Sequence, residues 1–273
     1  MIIDGKNIAN GIIERLKAIP KPDKFLGAVL VGEDPASINF LKQKEKIAIE
    51  LGVEFRLYKL PDAITTDELR HEIGRLSGPK NCGGSIVQLP LPERINRHYA
   101  LNAIPKSKDL DFLSETAIGS FYTGRSPAVP PSVGVVEEVL KNIESRKLRD
   151  LTVVMVGAGF LIGKPVGFWL QNRVAELIVL DNTVKDIHSI LCDADIVISG
   201  AGSPDLFSAK YLKEGALVID FGFNRNKEGK VVGDFDSTGA DRKNIKYTKT
   251  PGGTGPILVA KLFENFYVLT SGK

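Results

Sequence analysis

Apolar runs and amphipathic stretches alternate along this chain almost from end to end. The run "FLGAVLVG" (25–32) is apolar at nearly every position, as a strand covered on both faces must be. A helical pattern follows from about Ala36 to Leu51. After "VEFRLYKLP" (53–61) comes the helix-like "TTDELRHEIGRLS" (65–77), which Thr65 or Thr66 is placed to cap. "GGSIVQLPLP" (83–92) reads as a buried strand ended by prolines. This alternation predicts a parallel sheet covered by helices.

A second series begins after the polar stretch "NIESRKLRD" (142–150). It runs "LTVVMV", a helix after Gly163, "AELIVLD", another helix, "DIVISGAG" and "ALVIDFG". Prolines and glycines in "YTGRSPAVPPSVG" (122–134) interrupt the pattern, and the domain junction is expected there. Ser132 is expected to cap a connecting helix through "VGVVEEVLKNI". The expected domains are residues 1–125 and 126–255, with a last helix, about 256–273, packing back on the first. No internal repeat or low-complexity segment interrupts this division.

Composition narrows the function classes. With 273 residues, 43% of them hydrophobic and 25% charged, the chain can bury two modest cores. A net charge of +3 with both signs dispersed gives no nucleic-acid or membrane footprint. Cys82 and Cys192 are far apart and lack a C-x-x-C partner, so neither a disulfide framework nor a zinc site is expected. The three histidines (His71, His98 and His188) are scattered, which supports no metal site and no histidine-based triad. "GGSIV" lacks the second glycine of a nucleophile elbow, so a serine hydrolase is unsupported. The N-terminal "MIIDGKNIANGIIERLK" carries charges throughout, unlike a signal peptide, and no segment is apolar enough to span a membrane. A cytoplasmic protein is expected.

The candidate chemistry begins at "GAGFLIGKP" (157–165), behind the apolar "LTVVMV". It falls one residue short of a P-loop, and Pro165 stands where that loop needs a hydroxyl for magnesium. As a dinucleotide loop it fares better, with one residue extra. Gly157 ends a strand, Gly159 allows close approach, and Gly163 opens a helix whose N-terminus would face pyrophosphate. Pro165 suits the first turn of that helix, where a missing donor costs nothing. Asp181 ends the next strand, 24 positions after Gly157, about where an acid binds the adenosine ribose. A Rossmann-type domain is therefore expected.

Other motifs resemble the methylenetetrahydrofolate dehydrogenase/cyclohydrolase family over nearly the whole length. They are "VGEDPAS" (31–37), Lys44 and Lys46, "VQLPLP" (87–92), "KDLD" (108–111), "VIDFGFNR" (218–225), "VVGDFD" (231–236) and "TPGGTGP" (250–256). The resemblance implies a two-domain α/β enzyme: an N-terminal parallel-sheet catalytic domain, a Rossmann-type NAD(P)-binding domain, and a cleft between them holding folate. It also implies a homodimer. Lys44 matches the family's catalytic lysine, Gln88 the glutamine that holds it, and Asp111 the aspartate that binds the pterin. Phe40, Leu89, Pro251 and Gly252 are expected to line the folate site. Gly157, Ala158, Gly159, Gly163, Asp181, Asn182, Thr183, Gly200, Ala201 and Gly202 are the candidate cofactor contacts.

This pattern fits the chemistry. A single carboxylate can accept both N–H donors on the pterin's aminopyrimidine edge, and a lysine of lowered pKa can move protons during hydrolysis. Taken alone, Lys44 in "LKQKEK" is also an ordinary solvated helix face, and Asp109 and Asp111 are ordinary loop caps.

The chain departs from the family at several points. Phe40 stands where the family has tyrosine, one turn before the lysine, which leaves a dehydrogenase with weak or absent cyclohydrolase as an alternative. A non-catalytic folate- or nucleotide-binding protein is a further one. Ala158 and Gly159 replace an Arg-Ser pair in the loop. Asp181 would repel a 2′-phosphate, favouring NAD, whereas the family favours NADP, and Asn182, Thr183 or Lys185 offer the phosphate contacts; both cofactors stay open. Phe112 replaces a glycine after the pterin aspartate, and "VPPSVG" (129–134) a more regular segment.

Overall fold

The computed structural model describes residues 1–143 and 145–271. The chain runs β1 (Ile2–Ile3), α1 (Gly5–Lys17), β2 (Phe25–Val31), α2 (Pro35–Glu50), β3 (Phe55–Leu60), α3 (Thr66–Ser77), β4 (Cys82–Val87), α4 (Arg97–Leu101) and α5 (Glu115–Tyr122). It continues α6 (Pro131–Ile143), β5 (Thr152–Val156), α7 (Gly163–Leu170), β6 (Glu176–Leu180), α8 (His188–Leu191), β7 (Ile196–Ser199), β8 (Phe207–Ser208) and β9 (Leu217–Asp220). It closes β10 (Asn224–Arg225), β11 (Val231–Val232), β12 (Phe235–Asp236), β13 (Lys246–Thr248) and α9 (Thr254–Thr270). Two compact units result, one formed by Gly11–Pro131 and the stretch from Val259, the other by Met1–Asn10 and Ser132–Leu258.

In the first unit, β2 lies between β3 and β4, parallel to both. Its central place explains the unbroken apolar run, since every residue from Phe25 to Val31 is buried. β3 is an edge strand, only half-buried, and carries Arg56 and Lys59. The connecting helices start on side-chain caps. Asp34 accepts from the Ser37 N–H (2.7 Å) at the head of α2, with Pro35 as the first helical residue. Of the two candidate threonines, Thr65 caps α3, in a reciprocal capping box with Glu68.

The second unit holds a parallel sheet ordered β1-β13-β9-β7-β5-β6. Its inner strands β7 and β9 are buried throughout, whereas the edge strand β6 is largely half-exposed. One core cluster gathers Val154, Val156, Val197, Phe207, Val218 and Phe235.

Three expectations change here. Residues 1–10 were expected in the first domain, yet Ile2 and Ile3 pair with Tyr247 and Thr248 and complete the edge of the second sheet. Ser132 does not cap α6. The helix already starts at Pro131, whose fixed φ suits a first helical position, and Ser132 Oγ donates instead to the Leu161 carbonyl (2.7 Å). The helix expected after β6 is a single turn, His188–Leu191. Among the described residues no helix is long and apolar enough to cross a membrane, and no His, Cys, Asp or Glu cluster is arranged to hold a metal ion.

Candidate active site

Phe40 and Lys44 lie one turn apart on α2, so they share a face. Lys42, Glu45 and Lys46 are exposed, but Lys44 turns inward and is only 4% exposed. Its Nζ donates to Gln88 Oε1 (3.2 Å), lies 4.0 Å from Asp111 Oδ2, and sits 4.9 Å from the centre of the Phe40 ring. A buried ammonium needs such partners. Gln88 follows directly on β4, and its N–H donates to the Val29 carbonyl (2.9 Å), so it is fixed at the sheet edge of its strand. Its Nε2 donates to the Leu89 carbonyl (2.7 Å), which turns Oε1 towards Lys44. Leu89 itself is half-buried.

Burial pushes the Lys44 ammonium below its ordinary pKa of 10.5, with the Asp111 carboxylate opposing the shift. Burial likewise pushes Asp111 above 3.8, opposed by Lys44. The result is a lysine readier to give up its proton than one in water, beside a carboxylate readier to hold one.

The loop carrying Asp111 separates two aspartates that the sequence leaves alike. Asp109 is fully buried, and its carboxylate accepts from Leu113 N (3.0 Å), Ser114 N (2.7 Å) and Ser114 Oγ (2.7 Å). It caps the loop. Asp111 keeps 21% of its side chain exposed and accepts no hydrogen bond among the described residues, so its oxygens remain available to a ligand. Phe112, directly after Asp111, takes a left-handed backbone (φ 57°), its ring packed edge-on against Phe121. From α9, Asn265 Nδ2 donates to the carbonyls of Leu110 (2.9 Å) and Val129 (2.8 Å), anchoring the same loop. The sequence gives no hint of Asn265, because its partners are backbone atoms far away along the chain.

In the other unit, β5 and β6 pair with Val156 opposite Leu180, so Gly157 and Asp181 leave the sheet side by side. Gly157 N donates to the Leu180 carbonyl (2.8 Å). A Cβ on Gly157 (φ 98°) would lie 2.8 Å from the Gly200 carbonyl oxygen, and one on Gly163 would collide with the Gly157 carbonyl oxygen. Backbone thus packs on backbone around this loop, while a Cβ on Gly159 would meet open space. This cradle fits a dinucleotide, whose pyrophosphate needs close backbone approach. Asp181 Oδ1 accepts from Thr183 N (2.9 Å) and Thr183 Oγ1 (2.6 Å), and Asn182 is exposed between them.

The loop Gly200–Ala201–Gly202 is held from behind by a residue given no role in the sequence analysis. Asp234 Oδ2 accepts from Ser199 Oγ (2.7 Å), Ala201 N (2.8 Å) and Gly202 N (3.3 Å), while Oδ1 accepts from Ser203 N (2.9 Å) and Asn224 Nδ2 (3.1 Å). Asp220 accepts from Gly222 N (2.7 Å) and Phe235 N (3.1 Å), and burial pushes its carboxyl up to about 6. Both aspartates lie in motifs visible in the sequence, "VIDFGFNR" and "VVGDFD". Pro251 and Gly252 (φ 99°) form the turn before α9, also in this unit.

Comparison with known proteins agrees with both halves of this description. The family model of the tetrahydrofolate dehydrogenase/cyclohydrolase catalytic domain matches residues 3–111, and that of the NAD(P)-binding domain of the same family matches residues 130–272. The bifunctional protein FolD of Sorangium cellulosum is 35% identical over 270 residues, covering 96% of this chain and 94% of that protein. Among solved structures, the bifunctional FolD methylenetetrahydrofolate dehydrogenase/cyclohydrolase of Campylobacter jejuni is 33% identical. It has a TM-score of 0.93 and covers 100% of this chain and 99% of that one. The Trypanosoma brucei enzyme, solved with NADP and an inhibitor, is 29% identical with a TM-score of 0.91, over 100% of this chain and 97% of that one. The chain belongs to the tetrahydrofolate dehydrogenase/cyclohydrolase family.

Proposed function

We propose that this protein oxidises 5,10-methylenetetrahydrofolate with NAD(P)+ to 5,10-methenyltetrahydrofolate and hydrolyses that product to 10-formyltetrahydrofolate. The observation that carries the reading is the buried Lys44, held by Gln88 and faced by Asp111 and Phe40. The folate site belongs to the unit built on β2, β3 and β4, and the cofactor site to the unit with the glycine loop.

Asp111 accepts the two N–H donors of the pterin's aminopyrimidine edge and fixes the ring. Phe40 packs against the folate, and Leu89 shapes the wall beside Gln88. Bound NAD(P)+ supplies the hydride acceptor. Oxidation leaves a methenyl cation whose charge the folate nitrogens share, so the protein's task in that step is positioning. Hydrolysis adds water to the methenyl carbon, opens the ring at one nitrogen and releases a proton. Lys44, with its lowered pKa, moves the protons of that step, and Gln88 orients it without adding charge. Pro251 and Gly252, folate contacts by the family resemblance, lie in the unit that carries the glycine loop. The protein is further proposed to act in the cytoplasm as a homodimer, which light scattering tests.

Absorbance-monitored turnover of methylenetetrahydrofolate, followed by the decay of added methenyltetrahydrofolate, tests both activities. Reduction of the cofactor and accelerated decay are expected. Folate binding with neither activity would leave a binding protein.

A second reading rests on Phe40, which puts a phenyl ring where a hydroxyl would face Lys44. With no proton relay there, dehydrogenation is retained and hydrolysis is slow. Phe40→Tyr then speeds hydrolysis several-fold; no gain sinks this second reading.

A further inference from the structure

We propose that this protein selects NAD over NADP, and that Asp181 is the residue that determines the choice. The inference rests on the dehydrogenase reading above and names its cofactor. The pairing of β5 with β6 sets Asp181 beside the first glycine of the loop, where an adenosine ribose lies in a dinucleotide fold. Two hydrogen bonds from Thr183 fall on Oδ1, which fixes the carboxylate and leaves Oδ2 for the ribose hydroxyls. The same bonds hold the carboxyl below its ordinary pKa, so it stays charged at neutral pH.

The surroundings offer a 2′-phosphate little in return. Ala158 supplies no cation, and a Cβ at Gly159 would meet only open space. Lys164 and Lys185 are the basic residues of the two loops 157–165 and 181–186. Lys164 is in the first turn of α7, the end that serves pyrophosphate, and Lys185 is exposed between Val184 and the acidic Asp186. A phosphate dianion about 5 Å from a carboxylate is repelled by roughly tenfold or more in affinity even in water. NADP also forfeits the 2′-hydroxyl that the carboxylate would accept from.

Titration of the full-length protein with NADH and with NADPH, followed by nicotinamide fluorescence, tests this. NADH is expected to bind at least tenfold more tightly. Asp181→Asn keeps an oxygen for both Thr183 bonds while removing the charge, and should narrow the preference at least fivefold, mainly by tightening NADPH. Should that variant not fold, displacement of NADH from the unaltered protein by 5′-AMP and by 2′,5′-ADP gives the same comparison, with 5′-AMP the stronger competitor. Equal binding of NADH and NADPH, or 2′,5′-ADP as the stronger competitor, would overturn the selectivity, and a preference unchanged in Asp181→Asn would overturn Asp181 as its determinant; each leaves the dehydrogenase reading standing. Binding of neither dinucleotide would bring down both.

Discussion

Gln88 turns its amide oxygen to Lys44 because its amide nitrogen is spent on the carbonyl of the adjacent Leu89. A neutral acceptor is what a lysine destined to lose a proton needs, since a carboxylate in its place would raise the pKa that burial lowers.

Gln88→Glu is therefore expected to move the alkaline limb of hydrolysis to higher pH. In the unaltered protein, that limb is expected below the ordinary lysine value of 10.5, since burial lowers the Lys44 pKa. Lys44→Met should lower hydrolysis by about a hundredfold or more, the usual worth of a positioned acid or base. Methenyl decay measured across pH reads both. A limb that stays in place in Gln88→Glu would assign it to another group.

Asp234 gathers three successive backbone N–H groups of the Ala201–Ser203 loop, so its effect should be confined to the cofactor. Asp234→Ala leaves those donors without their acceptor, a loss of roughly 1–3 kcal/mol. The dinucleotide KM is expected to rise about tenfold while methenyl hydrolysis, which uses no dinucleotide, persists. Parallel loss of both activities would show that the residue merely holds the fold.

Burial pushes the Asp109 and Asp220 carboxyls from the ordinary 3.8 up to about 6, outweighing the hydrogen bonds they accept. A carboxyl that binds its proton more tightly when folded adds stability at low pH and loses it as pH rises through its folded value. Each contributes a change of about 3 kcal/mol, most of it between pH ~4 and ~6. Urea midpoints should thus fall from pH 5 to pH 7, and Asp109→Asn should flatten that slope. Carboxyls with lowered values, such as Asp34 and Asp195, act in the opposite sense but at lower pH.

Phe112 sets two effects against each other. Its left-handed backbone costs roughly 1–2 kcal/mol, which glycine would relieve. Its ring, 5% exposed and packed on Phe121, is worth roughly 3–5 kcal/mol. Packing wins, so Phe112→Gly should destabilise by about 2 kcal/mol in urea unfolding.

The long apolar strands were legible because a strand buried on both faces leaves an unbroken signature, as in β2 and in β5. β1 was not, since two isoleucines carry no period and their partner is Tyr247–Thr248. Lys44 could be singled out by resemblance but not by pattern, because four charged or polar neighbours surround it in "LKQKEK". Asp109 and Asp111 are chemically identical and two residues apart, so only the backbone path decides that one caps a loop and the other faces Lys44. Asp234 and Asn265 stayed silent for a common reason. Each serves backbone atoms distant in sequence, and a backbone amide or carbonyl leaves no mark in a string of side chains.

The anchoring of the Asp111 loop by Asn265 has a consequence for biosynthesis. The two bonded positions Leu110 and Asn265 are 155 residues apart, so the loop emerges from the ribosome long before its clamp is made. β1 waits in the same way for β13 before its edge of the sheet can close. Neither unit can reach its final form while the chain is still short, and a nascent chain stalled before α9 would carry Asp111 on a loop held by its local Asp109 cap alone, without the Asn265 anchor.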